Sequence, residues 1–233
     1  MQGARRVALV IPALDEEASI AGVVRDFRAR PALECVLVVD NGSRDRTAER
    51  ARAAGAEVVT ESCPGYGAAL RAGIEHAFGL GLEAVVLAEA DGTFDPADLE
   101  PLLAALADHD LVLGSRTRDM RGALRYGNRA VAWLLSALWW RSSCRLTDVG
   151  CTYRALTAGA WTALCDGARA DGPEFSPQMI CAAFRRRLAV CEIPVRYGAR
   201  TSGASKHTGS TWAAARTAAR MLRAILALRI AAR

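Results

Sequence analysis

Through the first half of the chain, short apolar runs alternate with longer stretches in which apolar positions recur every three or four residues. Residues 7–12, 35–39, 56–60, 84–88 and 110–114 have the length and the Val/Leu content of buried strands. Between them, residues 16–29 place Ile20, Val23, Val24 and Phe27 on one helical face, and 47–54, 67–78 and 96–107 read as further helices, the first of these with a cap around Asp45. Strands that are apolar throughout, each followed by a helix, predict an α/β fold: a Rossmann-like, mostly parallel sheet with helices on both faces. Ligands of such sheets bind beyond the carboxyl ends of the strands. The loops Asp15-Glu16-Glu17, Asp40-Asn41-Gly42-Ser43 and Glu89-Ala90-Asp91 should therefore share one rim.

The pattern changes in the second half. Residues 127–140 form a bulky apolar helix, 148–155 a turn into a strand, 177–186 a helix and 188–195 a strand, with Pro194 suiting it to an edge. A loop rich in Gly, Ser and basic residues follows over 197–210, and beyond Thr211 the residues Arg216, Arg220 and Arg223 form one helical stripe opposite Met221 and Ile225. With no internal repeat and no low-complexity linker, one domain over 1–207 and a basic amphipathic C-terminal helix over 208–233 are expected. That helix either lies on anionic lipid or packs on the domain or on a second subunit. The apolar run 130–140 is too short to cross a bilayer core of about 30 Å, and no signal-peptide pattern precedes residue 7, so a cytoplasmic protein with peripheral membrane contact is expected.

Composition narrows the partners. A chain of 233 residues, 52% hydrophobic, can bury a full core, and a net charge of +5 favours an anionic partner. The seven cysteines are scattered without a CxxC pair, which argues against a zinc site or a disulfide framework and for a reducing compartment. His76, His109 and His207 show no metal-ligand spacing.

The most telling segment is Ala88-Glu89-Ala90-Asp91-Gly92, an apolar strand ending in two acids one residue apart. Carboxylates so close repel, which a Mg²⁺ or Mn²⁺ ion carrying phosphate oxygens would relieve; alone, the segment reads equally as an acidic turn. Farther on, Arg125 and Arg129 flank Gly127-Asn128 at the expected start of the apolar helix, where a helix N-terminus would assist a phosphate. They are set against the plain reading of solvent-facing charges. Asp148 and Glu174 are the candidate bases of the second half, able equally to order a turn and cap a helix.

The motifs Ile11-Pro12-Ala13-Leu14-Asp15-Glu16-Glu17, Val38-Val39-Asp40-Asn41-Gly42-Ser43, Gly65-Tyr66-Gly67-Ala68-Ala69-Leu70 and Gly114-Ser115-Arg116, with the acid pair among them, appear in the order seen in family 2 glycosyltransferases of the GT-A fold. Thr147-Asp148-Val149-Gly150-Cys151-Thr152-Tyr153-Arg154 and Arg200-Thr201-Ser202-Gly203-Ala204-Ser205-Lys206 look like its dolichol-phosphate mannosyltransferase and polyprenyl-phosphate glucosyltransferase branch. The resemblance implies a nucleotide-sugar donor bordered by Pro12, Leu14 and Glu16 on one side and by Val39, Asp40 and Asn41 on the other, with Gly67 and Ala90 also against it. It implies Asp91 and Glu89 as metal ligands, Asp91, Arg116 and Arg129 as catalytic residues, and Arg116, Arg200 and Lys206 as cations on phosphates. Arg125, Asn128, Arg129 and Glu174 become the candidate acceptor contacts.

Several positions depart from the family pattern. Glu89 stands where Asp is usual, Asn41 replaces a second Asp, Tyr66 replaces a frequent Lys, and Thr93 replaces the Gln common in mannosyl members, which leaves GDP-mannose and UDP-glucose types open. The expected activity is metal-dependent, inverting transfer of a hexose from a nucleotide sugar to a polyprenyl or dolichyl phosphate, by a possible homo-oligomer with no nucleic-acid partner. An anionic acceptor needs no strong base. The alternatives are a GT-A transferase using a small soluble hydroxyl acceptor, and a non-catalytic basic module that binds membranes or nucleic acid.

Overall fold

The computed structural model describes residues 5–120, 122–139, 144–200, 219–223 and 225–228. Among these, seven strands form one sheet in the order β3-β2-β1-β4-β6-β5-β7. The parallel part consists of β1 (Val7–Ala13), β2 (Cys35–Asp40), β3 (Glu57–Thr60) and β4 (Ala84–Leu87), connected through α1 (Ile20–Arg28), α2 (Thr47–Ala53) and α3 (Tyr66–Gly79). After α4 (Leu99–Ala105) come β5 (Leu111–Ser115) and α5 (Gly122–Leu138), and then β6 (Arg154–Thr157) enters antiparallel between β4 and β5. The helices α6 (Ala158–Leu164) and α7 (Phe175–Arg185) lead to β7 (Val190–Pro194), parallel to β5 at the sheet edge that Pro194 suggested.

Both faces of the sheet are covered because its strands are apolar at successive positions. Val10, Leu37, Val39 and Leu87 pack with α3, α5, α6 and α7, while Leu9, Ile11, Val38 and Val86 pack with α1 and α4. Gly73 lets α3 sit close to the sheet: a Cβ there would lie 2.4 Å from Val10 Cγ1 and 2.7 Å from Val39 Cγ2. Such contact cannot be met without displacing a strand.

Two helix starts differ from expectation. The first helix begins at Ile20 rather than at residue 16, because Asp15 takes a φ of 50° and the Glu16 and Glu17 amides donate to Thr47 Oγ1 and Asp45 Oδ2. Asp45 also accepts from the Thr47 amide, but from one residue before the N-cap position of α2, which is Arg46 and makes no side-chain capping bond. The apolar helix begins at Gly122, five residues before 127, so Gly127 lies within it. A lone helical glycine costs only about 1 kcal/mol, which burial of Ala132 and Leu135 in the same helix offsets. The short α6 was not foreseen; its seven residues carry too little periodicity, and Thr157 starts it by accepting from the Ala160 amide.

Candidate active site

The strand order places β1 between β2 and β4, so the loops after all three meet at one rim. Register brings in the second half. Leu87 pairs with Arg154 across β4 and β6, and Leu113 pairs with the same residue across β5 and β6. Two residues farther along each antiparallel ladder, Glu89 and Ser115 both come level with Thr152. The 147–152 turn is thereby wedged between the acid pair and Arg116.

The two acids occupy different surroundings. Glu89 accepts a hydrogen bond of 2.7 Å from Thr152 Oγ1. Burial, reinforced by the neighbouring Asp91 charge, raises its pKa above the ordinary carboxylate value. Asp91 is 2% exposed. Its Oδ1 accepts from the Thr93 amide at 3.0 Å and the Thr93 hydroxyl at 2.7 Å, and its Oδ2 pairs with Arg200 Nη2 at 2.9 Å. Arg200 arrives there because the chain leaving β7 is fastened along the 93–98 turn: Arg196 bonds Asp98, Gly198 N donates to Thr93 O at 2.8 Å, and the Tyr197 ring packs at a tilt against Phe94. Glycine at position 92, with φ of 75°, makes the turn that Asp91 opens.

Asp91 is an oxygen donor of the kind a hard divalent cation takes, once Arg200 gives up its Oδ2. Asp91 offers a fixed carboxylate at the rim, and no group of three His, Cys, Asp or Glu side chains able to hold a metal occurs among the described residues. Mg²⁺ and Mn²⁺ bind in just this way, through one or two carboxylates with substrate phosphates completing the sphere.

Arg116 is anchored rather than free. Its Nε and Nη2 reach Asp148 Oδ2 and Oδ1 at 2.8 and 2.9 Å, its amide donates to Oδ2, and its guanidinium lies 5.1 Å from the Tyr197 ring centroid. Asp148 also accepts from Asn128 Nδ2 at 2.6 Å and from Gly150 N. Burial would raise the Asp148 pKa, but the hydrogen bonds and charge of Arg116 hold it below the ordinary value. Asn128 thus ties α5 to this pair. Arg125 is exposed in the first turn of α5, whereas Arg129 is exposed a turn farther on, away from the helix N-terminus where it was expected. Glu174 precedes α7 without a side-chain capping bond and instead pairs with Arg220 of the C-terminal segment.

On the nucleotide side, Asp40 lies half-buried at the end of β2, beside the half-buried Pro12 and the exposed Leu14 at the end of β1. Glu16 accepts from Ser19 Oγ. The Asn41 amide is taken up locally, donating to Glu61 O and Cys63 O and accepting from Gly65 N. Val39 is wholly buried beneath α3, so its side chain packs the core rather than facing a ligand. Gly67 is likewise a packing residue: its amide donates to Asp171 O at 2.7 Å, and a Cβ would meet Ala170 O at 2.1 Å. Ala90 is 4% exposed and joins the core beside α1. Lys206 and His207 lie outside the described residues.

Three supporting residues were not singled out from sequence. Thr152 holds Glu89. Glu192 of β7 accepts from the amides of Thr147 and Asp148, fixing the turn that bears Asp148. Arg154 is 1% exposed and donates to the carbonyls of Val149, Cys151 and Ser176, binding the same turn to α7. An arginine inside the apolar strand Arg154-Ala155-Leu156 was the available signal.

The model for glycosyl transferase family 2 matches residues 8–155. The chain belongs to this family. It is 36% identical over 211 residues to an uncharacterized glycosyltransferase of Mycobacterium tuberculosis, covering 88% of this chain and 90% of that one. An undecaprenyl-phosphate mannosyltransferase of Micrococcus luteus is 29% identical over 221 residues, covering 88% of each. Among solved structures, glucosyl-3-phosphoglycerate synthase of Mycobacterium tuberculosis, in complex with Mn²⁺, uridine diphosphate and phosphoglyceric acid, superposes with a TM-score of 0.78 at 23% identity, covering 98% of this chain and 80% of that one. The fold is accordingly that of the GT-A glycosyltransferases. This protein is a glycosyltransferase, which sets aside the reading as a non-catalytic basic module.

Proposed function

We propose that this glycosyltransferase moves a hexose from a nucleotide sugar to a polyprenyl phosphate, with Mg²⁺ or Mn²⁺, at the cytosolic face of a membrane. One observation carries the choice of acceptor. The two candidate bases on the second-half side are engaged: Asp148 by Arg116 and Asn128, and Glu174 by Arg220. A phosphate oxygen is already anionic near neutral pH and needs no such base, whereas an alcohol does. The similarity to the Micrococcus luteus undecaprenyl-phosphate mannosyltransferase supports the same reading.

Asp91 is the residue that would hold the cation, which when bound would supply positive charge against the departing nucleoside diphosphate. Arg200 exchanges Asp91 for the donor's phosphates. Asp40 and the ends of β1 and β2 border the nucleoside, and Arg125 and Arg129 on α5 collect the acceptor phosphate. The attacking phosphate oxygen bonds the anomeric carbon as the diphosphate oxygen leaves from the opposite side, inverting the configuration. No proton has to move in that step.

Purified protein with Mn²⁺, labelled UDP-glucose or GDP-mannose and undecaprenyl phosphate should yield a lipid-linked hexose. If the label passes instead to a small hydroxyl acceptor such as phosphoglyceric acid, and never to the lipid, the acceptor assignment is wrong.

A further inference from the structure

The solvent face of α5 carries large aromatic side chains beside its charged ones. Tyr126 is 75% and Trp133 71% exposed, well above Leu80 at 46%, the next most exposed large hydrophobic side chain among the described residues. At about 100° per residue they fall on nearly the same line along the helix, two turns apart. Ala130 and Ala137 flank that line on one side, Arg125 and Arg129 on the other, and all four are exposed. The opposite side of the helix buries Ala132 and Leu135 in the core. No acidic residue occurs in α5.

We infer that this face of α5 docks on the surface of an anionic lipid bilayer. Trp and Tyr suit the membrane interface because each joins an apolar body to one polar atom, and arginines beside them meet lipid phosphates while their stems lie along the apolar layer. A water-exposed stripe of two aromatics, two alanines and two arginines has the complementary charge and amphipathic depth for such a surface. Position matters too. Asn128, on the inner side of the same helix, bonds Asp148, which holds Arg116 at the rim. Docking by α5 therefore sets the reaction rim beside the headgroup layer. The inference deepens the polyprenyl-phosphate reading and rests on it for the reason a bilayer should lie on this side.

The test is co-sedimentation of the full chain with phosphatidylcholine vesicles and with vesicles also containing phosphatidylglycerol. The native protein should pellet with the anionic vesicles and stay in solution with the neutral ones. The double variant Tyr126→Ala/Trp133→Ala should lose about tenfold in vesicle affinity, while keeping its circular dichroism and its calorimetric binding of UDP or GDP with Mn²⁺. The assignment is overturned if the native protein ignores anionic vesicles, or if the variant pellets as the native protein does. It is also overturned if sedimentation velocity shows a dimer that the double substitution dissociates without vesicle binding in either form, since a second copy then covers this face. Transfer to undecaprenyl phosphate in detergent without vesicle binding would sink the docking face alone. Vesicle binding with transfer only to soluble hydroxyls would sink the acceptor assignment alone.

Discussion

Glu89 and Asp91 are one residue apart in the chain, yet Glu89 is held by Thr152 while Asp91 sits between Thr93 and Arg200. That difference sets their expected sensitivities. On the proposed role of Asp91 as cation ligand, Asp91→Ala should abolish transfer, by at least about a thousandfold in kcat. Glu89→Asp withdraws the carboxylate from Thr152 by one methylene and should retain substantial activity; the reverse ranking in a steady-state assay would refute this division of roles. Arg200 gives a second prediction. Because its guanidinium neutralises Asp91 in the ligand-free protein, Mn²⁺ alone should bind weakly and Mn²⁺ with UDP or GDP much better. Arg200→Ala should raise affinity for Mn²⁺ alone severalfold and lower affinity for the nucleotide, both readable by electron paramagnetic resonance of free Mn²⁺ and by calorimetry. The acid pair and Arg200 are candidates from sequence, but the pairing of Arg200 with Asp91 is visible only in the structure. Thr152 and Glu192 could not be found that way, since isolated Thr and Glu residues leave no periodic signal.

The element that organises the second half is the 147–152 turn leading into β6. A segment rich in Gly, Cys and Thr has no repeating pattern, and only its pairing with β4 and β5 decides that it runs antiparallel and ends at the rim. Its buried ion pair should be costly to break by removing one partner. The Asp148 side chain is fully buried and that of Arg116 is 14% exposed, so losing the carboxylate leaves a cation with little solvent. Asp148→Asn should cost about 3–5 kcal/mol at neutral pH, measured by urea unfolding. Since the folded-state pKa of Asp148 is lowered, its contribution is complete above the unfolded value of about 3.9 and is lost as pH falls through the folded value. The native protein should accordingly lose stability more steeply than the variant below about pH 4, and parallel acid limbs in the two melting curves would contradict the pairing. Helix α5 shows the limit of pattern reading at this scale: Gly127 marks a boundary by propensity, but packing of the later turns carries the helix past it.

Across the whole molecule, the described part of the C-terminal segment meets the domain through both of its sides. Arg220 of the basic stripe pairs with Glu174, while on the apolar side Ile225 is fully buried in the cluster that includes Met179 and Phe184 of α7, and Leu228 packs against it. The tail therefore contributes to the core instead of presenting its whole circumference to lipid. Ile225→Ala should cost about 2–4 kcal/mol and lower the single cooperative melting transition; an unchanged melting temperature with early proteolytic loss of the tail would show that the segment folds independently. The sequence by itself determined the strand-helix alternation, the parallel half of the sheet and the rim where three acidic loops meet, because these follow from apolar periodicity and from the geometry of parallel strands. Tertiary structure decided the antiparallel insertion of β6, the inequality of Glu89 and Asp91, the engagement of Asp148, Glu174 and Arg116 in ion pairs, and the exposure of Tyr126 and Trp133. Each of those depends on which residues distant in the chain come within hydrogen-bonding or van der Waals reach, and local periodicity carries no record of that.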